Sequence, residues 1–131
     1  MKNVLLPIDF YQDPKQALKD LSAFLKGREG EFKILLLSTY MVPVSPSDRL
    51  ITAHDDLRRQ SLEKLKNALQ TFQIFSDGKI SFETISQMGL PANVIARIVP
   101  ERKIDCVIVG RGTQAELVGL LHRVGCPVMI L

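Results

Sequence analysis

The sequence predicts an α/β protein, a five-stranded parallel sheet with helices on both faces. Three observations lead there. The strand-like runs, such as Asn3 to Ile8 and Ile104 to Val109, are continuously apolar, as expected of strands buried on both faces. Between them lie segments whose apolar residues recur at helical spacing, giving the alternation β-α-β-α-β-α-β-α-β. Finally, the run ending at Val109 stops abruptly at Gly110 and Gly112, and Thr113-Gln-Ala-Glu116 then reads as a capping box opening a helix. In open α/β sheets ligands sit outside the carboxyl ends of the strands, so the end of this run is where function is expected.

The first strand, Asn3 to Ile8, is closed by Asp9, and Pro7 removes a ladder donor where pairing is finishing. Asp13-Pro14-Lys15-Gln16 starts a helix, with Asp13 as N-cap, Pro14 at the first helical position and Gln16 at the third. Ala17, Leu18, Leu21, Phe24 and Leu25 form its apolar face, and Gly27 and Gly30 stop it. Lys33 to Met41 is the second strand; with the first it makes a right-handed βαβ unit. The Pro/Ser-rich stretch from Val42 to Asp48 is a loop. A long helix from about His54 to Phe75 follows, with Leu62, Leu65, Leu69 and Phe72 on one face, and Ser76-Asp-Gly78 ends it.

The third strand, Lys79 to Ser86, alternates Ile80 and Phe82 with Ser81 and Glu83, which suits a sheet edge. Pro91 opens a third helix with Val94, Ile95, Ile98 and Val99 inward, and Pro100 ends or kinks it. After the 104–109 strand come a short helix over 114–124, carrying Leu117, Leu120, Leu121 and Val124, and a last strand from Pro127 to Leu131. No repeat, low-complexity segment or linker interrupts the chain, so one domain spanning residues 1–131 is expected.

Composition narrows the function classes. Apolar residues make up 46% and charged residues 24%, ordinary for a soluble protein. The net charge of +3 arises from scattered basic residues; Arg58-Arg59 and Arg102-Lys103 are the adjacent pairs, with no aromatic residues interleaved, which argues against nucleic acid. No run approaches the roughly 20 apolar residues of a membrane span. The amino terminus reaches Asp9 too soon for a secretory h-region. Cys106 and Cys126 fit neither a metal knuckle nor a redox pair and read as reduced core thiols of a cytoplasmic protein.

Catalytic patterns find little support. Gly110-Arg-Gly-Thr-Gln-Ala115 formally fits a dinucleotide fingerprint but lacks the acidic residue about twenty positions on that would hold the ribose. Asp9 lacks the further carboxylates a hard-cation phosphoacceptor site needs. His54 and His122 pair with no nucleophile, and Ser38, Ser45 and Ser47 lie in no nucleophile elbow.

Taken together, Asn3-Val-Leu-Leu-Pro-Ile-Asp-Phe10, Gly89-x-Pro91, Ile104-Asp-Cys-Val-Ile-Val-Gly110 and Gly125-Cys-Pro-Val-Met-Ile-Leu131 resemble the universal stress protein family over essentially the whole chain. The resemblance implies a Rossmann-like sheet of the adenine nucleotide alpha hydrolase type, ordered 3-2-1-4-5. It also implies a homodimer paired through the last strand, Val128, Met129, Ile130 and Leu131. An exposed apolar edge needs a partner, which agrees.

Nucleotide-binding members of that family carry the pattern G-x2-G-x9-G-[S/T] after the fourth strand, where glycines let amides close on phosphates. Here Gly110 matches the first glycine, position 113 is Thr, and the interval to the Cys-Pro-Val ending is several residues short. Gly112-Thr113 is the surviving G-[S/T]. Carried over by position, Pro7, Asp9, Thr39, Val109 and Gly110 would line an adenosine pocket, with the triphosphate grip lost. The expected function is a non-enzymatic stress-response protein acting as a homodimer through unknown protein partners, with no metal and no tight ATP binding. The alternative is an adenine-nucleotide module for AMP or ATP. A slow nucleotide hydrolase has no general base or metal cluster to carry it.

Overall fold

The computed structural model describes residues 2–11, 13–41, 49–73, 78–110, 119 and 125–130. Strands β1 (Lys2–Pro7), β2 (Phe32–Tyr40), β3 (Ile80–Met88), β4 (Cys106–Val109) and β5 (Val128–Ile130) form one sheet, every neighbouring pair parallel. Their order is β3-β2-β1-β4-β5, as the resemblance implied. Helices α1 (Pro14–Leu25), α2 (Arg49–Phe72) and α3 (Pro91–Glu101) connect and cover it, and a short 3-10 turn, Ile8–Phe10, follows β1. The helix expected over 114–124 falls largely outside the described residues.

Alternation along the central strands sends side chains to two separate cores. Val4, Leu6, Ile34, Leu36 and Ile108 point to one face, where Ala17, Leu21 and Phe24 of α1 and Leu65, Ala68 and Phe72 of α2 cover them. Leu5, Leu35, Leu37, Val107 and Val109 point to the other, beneath Val94, Ile95, Ile98 and Val99 of α3. Both faces are covered, which is why these strands read as continuous apolar runs. A fully buried leucine contributes roughly 1.5–3 kcal/mol, and Leu5, Leu6, Leu35, Leu36 and Leu37 are all essentially inaccessible. The more polar β3 lies at the edge, as its alternation predicted.

Some boundaries differ from expectation. Nothing between Arg49 and His54 is Gly or Pro, so α2 propagates five residues further toward its amino end than the sequence suggested. Residue 104 does not join β4: its N–H closes the end of α3 on the Val99 carbonyl at 2.9 Å, after Lys103 takes a left-handed φ of 53°. Asn3 holds that turn, donating its side-chain amide to the carbonyls of Arg102 and Lys103. The start of α1 has the expected cap at Asp13 and Pro14 in the first helical turn. Asp13 accepts from the Lys15 N–H, while the Gln16 amide reaches forward to Asp20. Leu62 is another correction: it is 48% exposed, because Ser61, Leu65, Ala68 and Phe72 are the α2 residues that meet the sheet.

Cys106 is buried and Cys126 half-buried, and both are free thiols. Burial first, and the nearby Cys126 second, push the Cys106 thiol up to about 11, so it stays protonated at neutral pH.

Candidate functional site at the strand ends

The sheet changes direction between β1 and β4: α1 and α2 cover one face and α3 the other. The crevice outside the carboxyl ends of such adjacent strands is the usual ligand position in an open α/β sheet. Here it is framed by Asp9 and Tyr11 after β1, Thr39 near the end of β2, and Gly110 after β4.

Asp9 and Thr39, two of the residues expected at the site, meet directly. One carboxylate oxygen of Asp9, Oδ2, accepts both the Thr39 backbone N–H and the Thr39 hydroxyl, the latter at 3.0 Å. The other, Oδ1, accepts the Ser38 hydroxyl at 3.2 Å and faces Lys64 Nζ at 3.9 Å. The Lys64 side chain is 64% exposed, so this loose ion pair adds little. Charge-assisted hydrogen bonds to a shielded carboxylate count for more.

The network continues inward through side chains not anticipated as a group. Ser38 and Ser86 are register partners on β2 and β3, and Ser61 of α2 hydrogen-bonds to both at 2.8 Å. Ser38 and Ser61 are buried. A polar chain therefore runs from Ser86 through Ser61 and Ser38 to Asp9, fixing α2 over the sheet. Its visible trace in the sequence is parity: Ser38 falls on the same side of β2 as Ile34 and Leu36, a buried face where a lone hydroxyl needs partners.

At the end of β4, Gly110 has an aromatic side chain for a neighbour. A Cβ on Gly110 would stand 2.9 Å from Cε1 of Tyr11 and 3.3 Å from its Cζ. Glycine is needed there because the Tyr11 ring lies against the backbone. Tyr11 is held in turn by its hydroxyl, which donates to Asp20 Oδ2 at 2.8 Å. Burial, that hydrogen bond and the Asp20 charge together hold the phenol well above its ordinary pKa. A cleft of about 210 Å³ opens beside the ring, lined by Ile8, Tyr11, Pro14, Ala17, Lys64 and Asn67.

Of the remaining expected residues, Pro7 ends β1 and Val109 ends β4, both buried in the sheet. Gly112 and Thr113 lie outside the described residues, as does Leu131. Val128 and Met129 are half-buried on β5, and Ile130 is 47% exposed. His54 stands edge-on to Tyr40, with ring centroids 5.6 Å apart. Among the described residues no group of three or more His, Cys, Asp or Glu side chains is placed to hold a metal ion. Nor does any described helix have the length and apolarity to cross a membrane.

A five-stranded parallel sheet in this order, with helices on both faces, defines a Rossmann-like α/β domain. The chain belongs to the universal stress protein family, whose model matches residues 1–131. Solved structures agree on the fold. The universal stress protein UspA of Lactobacillus plantarum superposes with a TM-score of 0.75 at 15% identity, covering 99% of this chain and 97% of that one. A Burkholderia pseudomallei family protein gives 0.73 at 14% identity, over 99% and 95% of the two chains. An Arabidopsis thaliana family protein solved with AMP bound gives 0.66 at 19% identity, over 100% and 91%. No curated protein sequence matches this one.

Proposed function

We propose that this chain is a non-enzymatic stress-response regulator that works in the cytoplasm as a homodimer, through protein contacts, and does not hold ATP tightly. The observation that carries this reading is the internal use of the strand-end groups. Both oxygens of Asp9 are engaged by Ser38 and Thr39, and Gly110 is in contact with Tyr11. A ligand would have to displace those contacts, and the affinity it gained would be reduced accordingly. The departure from the family's phosphate pattern at Thr113 points the same way. Pairing of β5 with its counterpart in a second copy would cover the exposed Ile130.

The second reading is an adenine-nucleotide module for AMP-like ligands. It is favoured by the AMP in the Arabidopsis thaliana structure, and by the cAMP and dAMP in two further family structures.

A thermal-shift titration with ATP, ADP and AMP, each with and without magnesium, separates the two. A ligand bound by the native state alone stabilises by about 2.7 kcal/mol at a hundredfold excess over its Kd. No shift at millimolar concentration supports the regulator; a saturating rise of several degrees with any of the three supports the nucleotide module.

A further inference from the structure

Strand β3 ends the sheet, and its outer side carries a row of peptide groups. Its nine residues, Ile80–Met88, pair with β2 without a bulge. At the two ends the Lys79 carbonyl accepts from the Phe32 N–H, and the Gly89 N–H donates to the Tyr40 carbonyl, both at 2.9 Å. In a strand the N–H and C=O of one residue point the same way, and successive residues point oppositely. The odd-numbered residues of β3 therefore turn their peptide groups to β2. Ile80, Phe82, Thr84, Ser86 and Met88 turn theirs outward, and among the described residues no strand lies beyond them. Edges are commonly blunted by Pro, Lys or a bulge. Between Ile80 and Met88 there is none of the three.

The two sides of this edge differ in chemistry. On the α2 side lie Ile80 and Phe82, half-buried, and Met88, which is 52% exposed. On the α3 side a groove of about 310 Å³ is lined by Ile85, Gln87, Arg97, Ile98, Glu101 and Arg102. Arg97 Nη2 donates to Gln87 Oε1 at 2.9 Å, and Arg102 Nη1 to Glu83 Oε1 at 3.2 Å. Both guanidinium groups thus reach over β3 itself, at positions roughly 13 Å apart along the strand. The partner of Arg97 is neutral, and Arg102 shares Glu83 with Lys33, which stands 2.8 Å from it. Three cations, Lys33, Arg97 and Arg102, face two carboxylates, Glu83 and Glu101, so this side keeps an excess of positive charge.

We infer that β3 is a docking edge for an extended peptide of a partner protein, one that alternates acidic with apolar residues and adds to the sheet as a sixth strand. The inference rests on the reading of the chain as one that works through protein contacts, and it names the surface and the partner's chemistry. In such strand addition the backbone supplies affinity and alternate side chains supply specificity. A strand lying about 4.8 Å beyond β3 sends every second side chain to the α3 side, where carboxylates meet Arg97 and Arg102. The others fall on the α2 side, beside Ile80, Phe82 and Met88. A second copy of this chain is less suited. The one charged residue on the α3 side of its β3 is Glu83, already held by Lys33 and Arg102.

The test is fluorescence anisotropy of a labelled peptide of alternating Val and Glu, matched to the nine residues of β3, with a Val/Lys peptide as control. The proteins are the wild type, Thr84→Pro and Arg97→Glu. The Thr84 N–H points outward, so Pro there removes no bond to β2. The wild type is expected to bind the Val/Glu peptide saturably below about 1 mM, and the Val/Lys peptide about tenfold more weakly or worse. Each substitution should weaken the Val/Glu peptide by about tenfold or more, one by blocking the edge and the other by reversing a charge. If Thr84→Pro does not fold, Arg97→Glu and the Val/Lys peptide decide the matter. Equal binding of the two peptides, or binding that a folded variant leaves unchanged, overturns the inference. Self-association in an Ile130→Lys background that Thr84→Pro abolishes also overturns it, since the occupant is then a second copy. No binding at millimolar peptide overturns the docking edge alone, because the regulator reading is decided separately by the nucleotide titration.

Discussion

Asp9 and Thr39 are joined twice through one oxygen, Asp9 Oδ2 accepting both the backbone N–H and the hydroxyl of Thr39. The contact ties the turn after β1 to the end of β2, thirty residues further on. A strand-end carboxylate that would be a ligand group in a nucleotide site is thereby used as a structural acceptor.

Replacing Asp9 with Ala strands three donors at once: the hydroxyls of Ser38 and Thr39 and the Thr39 N–H. Loss of a shielded acceptor with several donors costs about 2–4 kcal/mol. Urea unfolding should show this as a lower midpoint with an unchanged slope. A change under about 0.5 kcal/mol would mean that the donors find water readily and the tie is weak.

Ser61 bridges two register partners from above, so Ser61→Ala is expected to cost about 1–2 kcal/mol. The double substitution Ser61→Ala with Ser38→Ala should cost clearly less than the sum of the singles, because removing both ends of a bond leaves fewer orphans. Strict additivity in the cycle would show that the two hydroxyls do not interact.

How much of this was legible beforehand divides along one line. Patterns set by neighbours in sequence were readable. The continuous apolar strands marked a two-faced sheet, and Val94, Ile95, Ile98 and Val99 marked the inward face of α3. Contacts set by residues far apart were not. Leu62 sits at helical spacing from Leu65, yet the sheet is met by Ser61, whose hydrogen bonds to β2 and β3 no hydropathy pattern displays. Gly110 matches the first glycine of the family's phosphate pattern by local sequence alone; its neighbour Tyr11 lies near the other end of the chain, and only the fold brings them together. Asp9 and Thr39 were both expected at the site, but that they would satisfy each other was not written in either strand.

Acid should weaken the fold partly through Glu83. Its hydrogen bond to Lys33 holds the carboxyl below the ordinary value of 4.5; burial opposes this, and the Lys33 and Arg102 charges with the Arg102 hydrogen bond add to the lowering. A depressed folded-state pKa means stabilisation that is complete above the unfolded value and is lost as pH falls below 4.5 through the folded value. Glu83 is a third exposed, so screening keeps the effect within about 1 kcal/mol. Glu83→Gln is expected to remove that share of the acid sensitivity measured by urea unfolding between pH 6 and pH 3. Parallel curves for the two proteins over that range would contradict it.

The thiols give a check on packing. Cys126 is half-buried and Cys106 buried, and burial raises both pKa values. A disulfide reagent at neutral pH should modify Cys126 slowly and Cys106 only after unfolding. Two equally fast thiols in the native protein would show that β4 is open to solvent.

Dimer formation through β5 is tested best at Ile130. Met129 packs into the α1–α2 core and faces Arg28 Nη2 at 3.9 Å, so a charge there disturbs the monomer itself. Ile130→Lys alters an exposed side chain and should shift a sedimentation-equilibrium dimer to monomer with little change in melting temperature. An unaltered dimer would place the interface elsewhere.

The most direct measurement is the amide resonance of Thr39 in a two-dimensional nitrogen–proton spectrum, followed as ATP with magnesium and then AMP are added to millimolar concentration. The account predicts a hydrogen-bonded, exchange-protected amide whose position in the spectrum neither ligand changes, because Asp9 already holds it. A saturating displacement of that resonance, with loss of protection on adding either nucleotide, would contradict the account and make Asp9 a ligand residue after all.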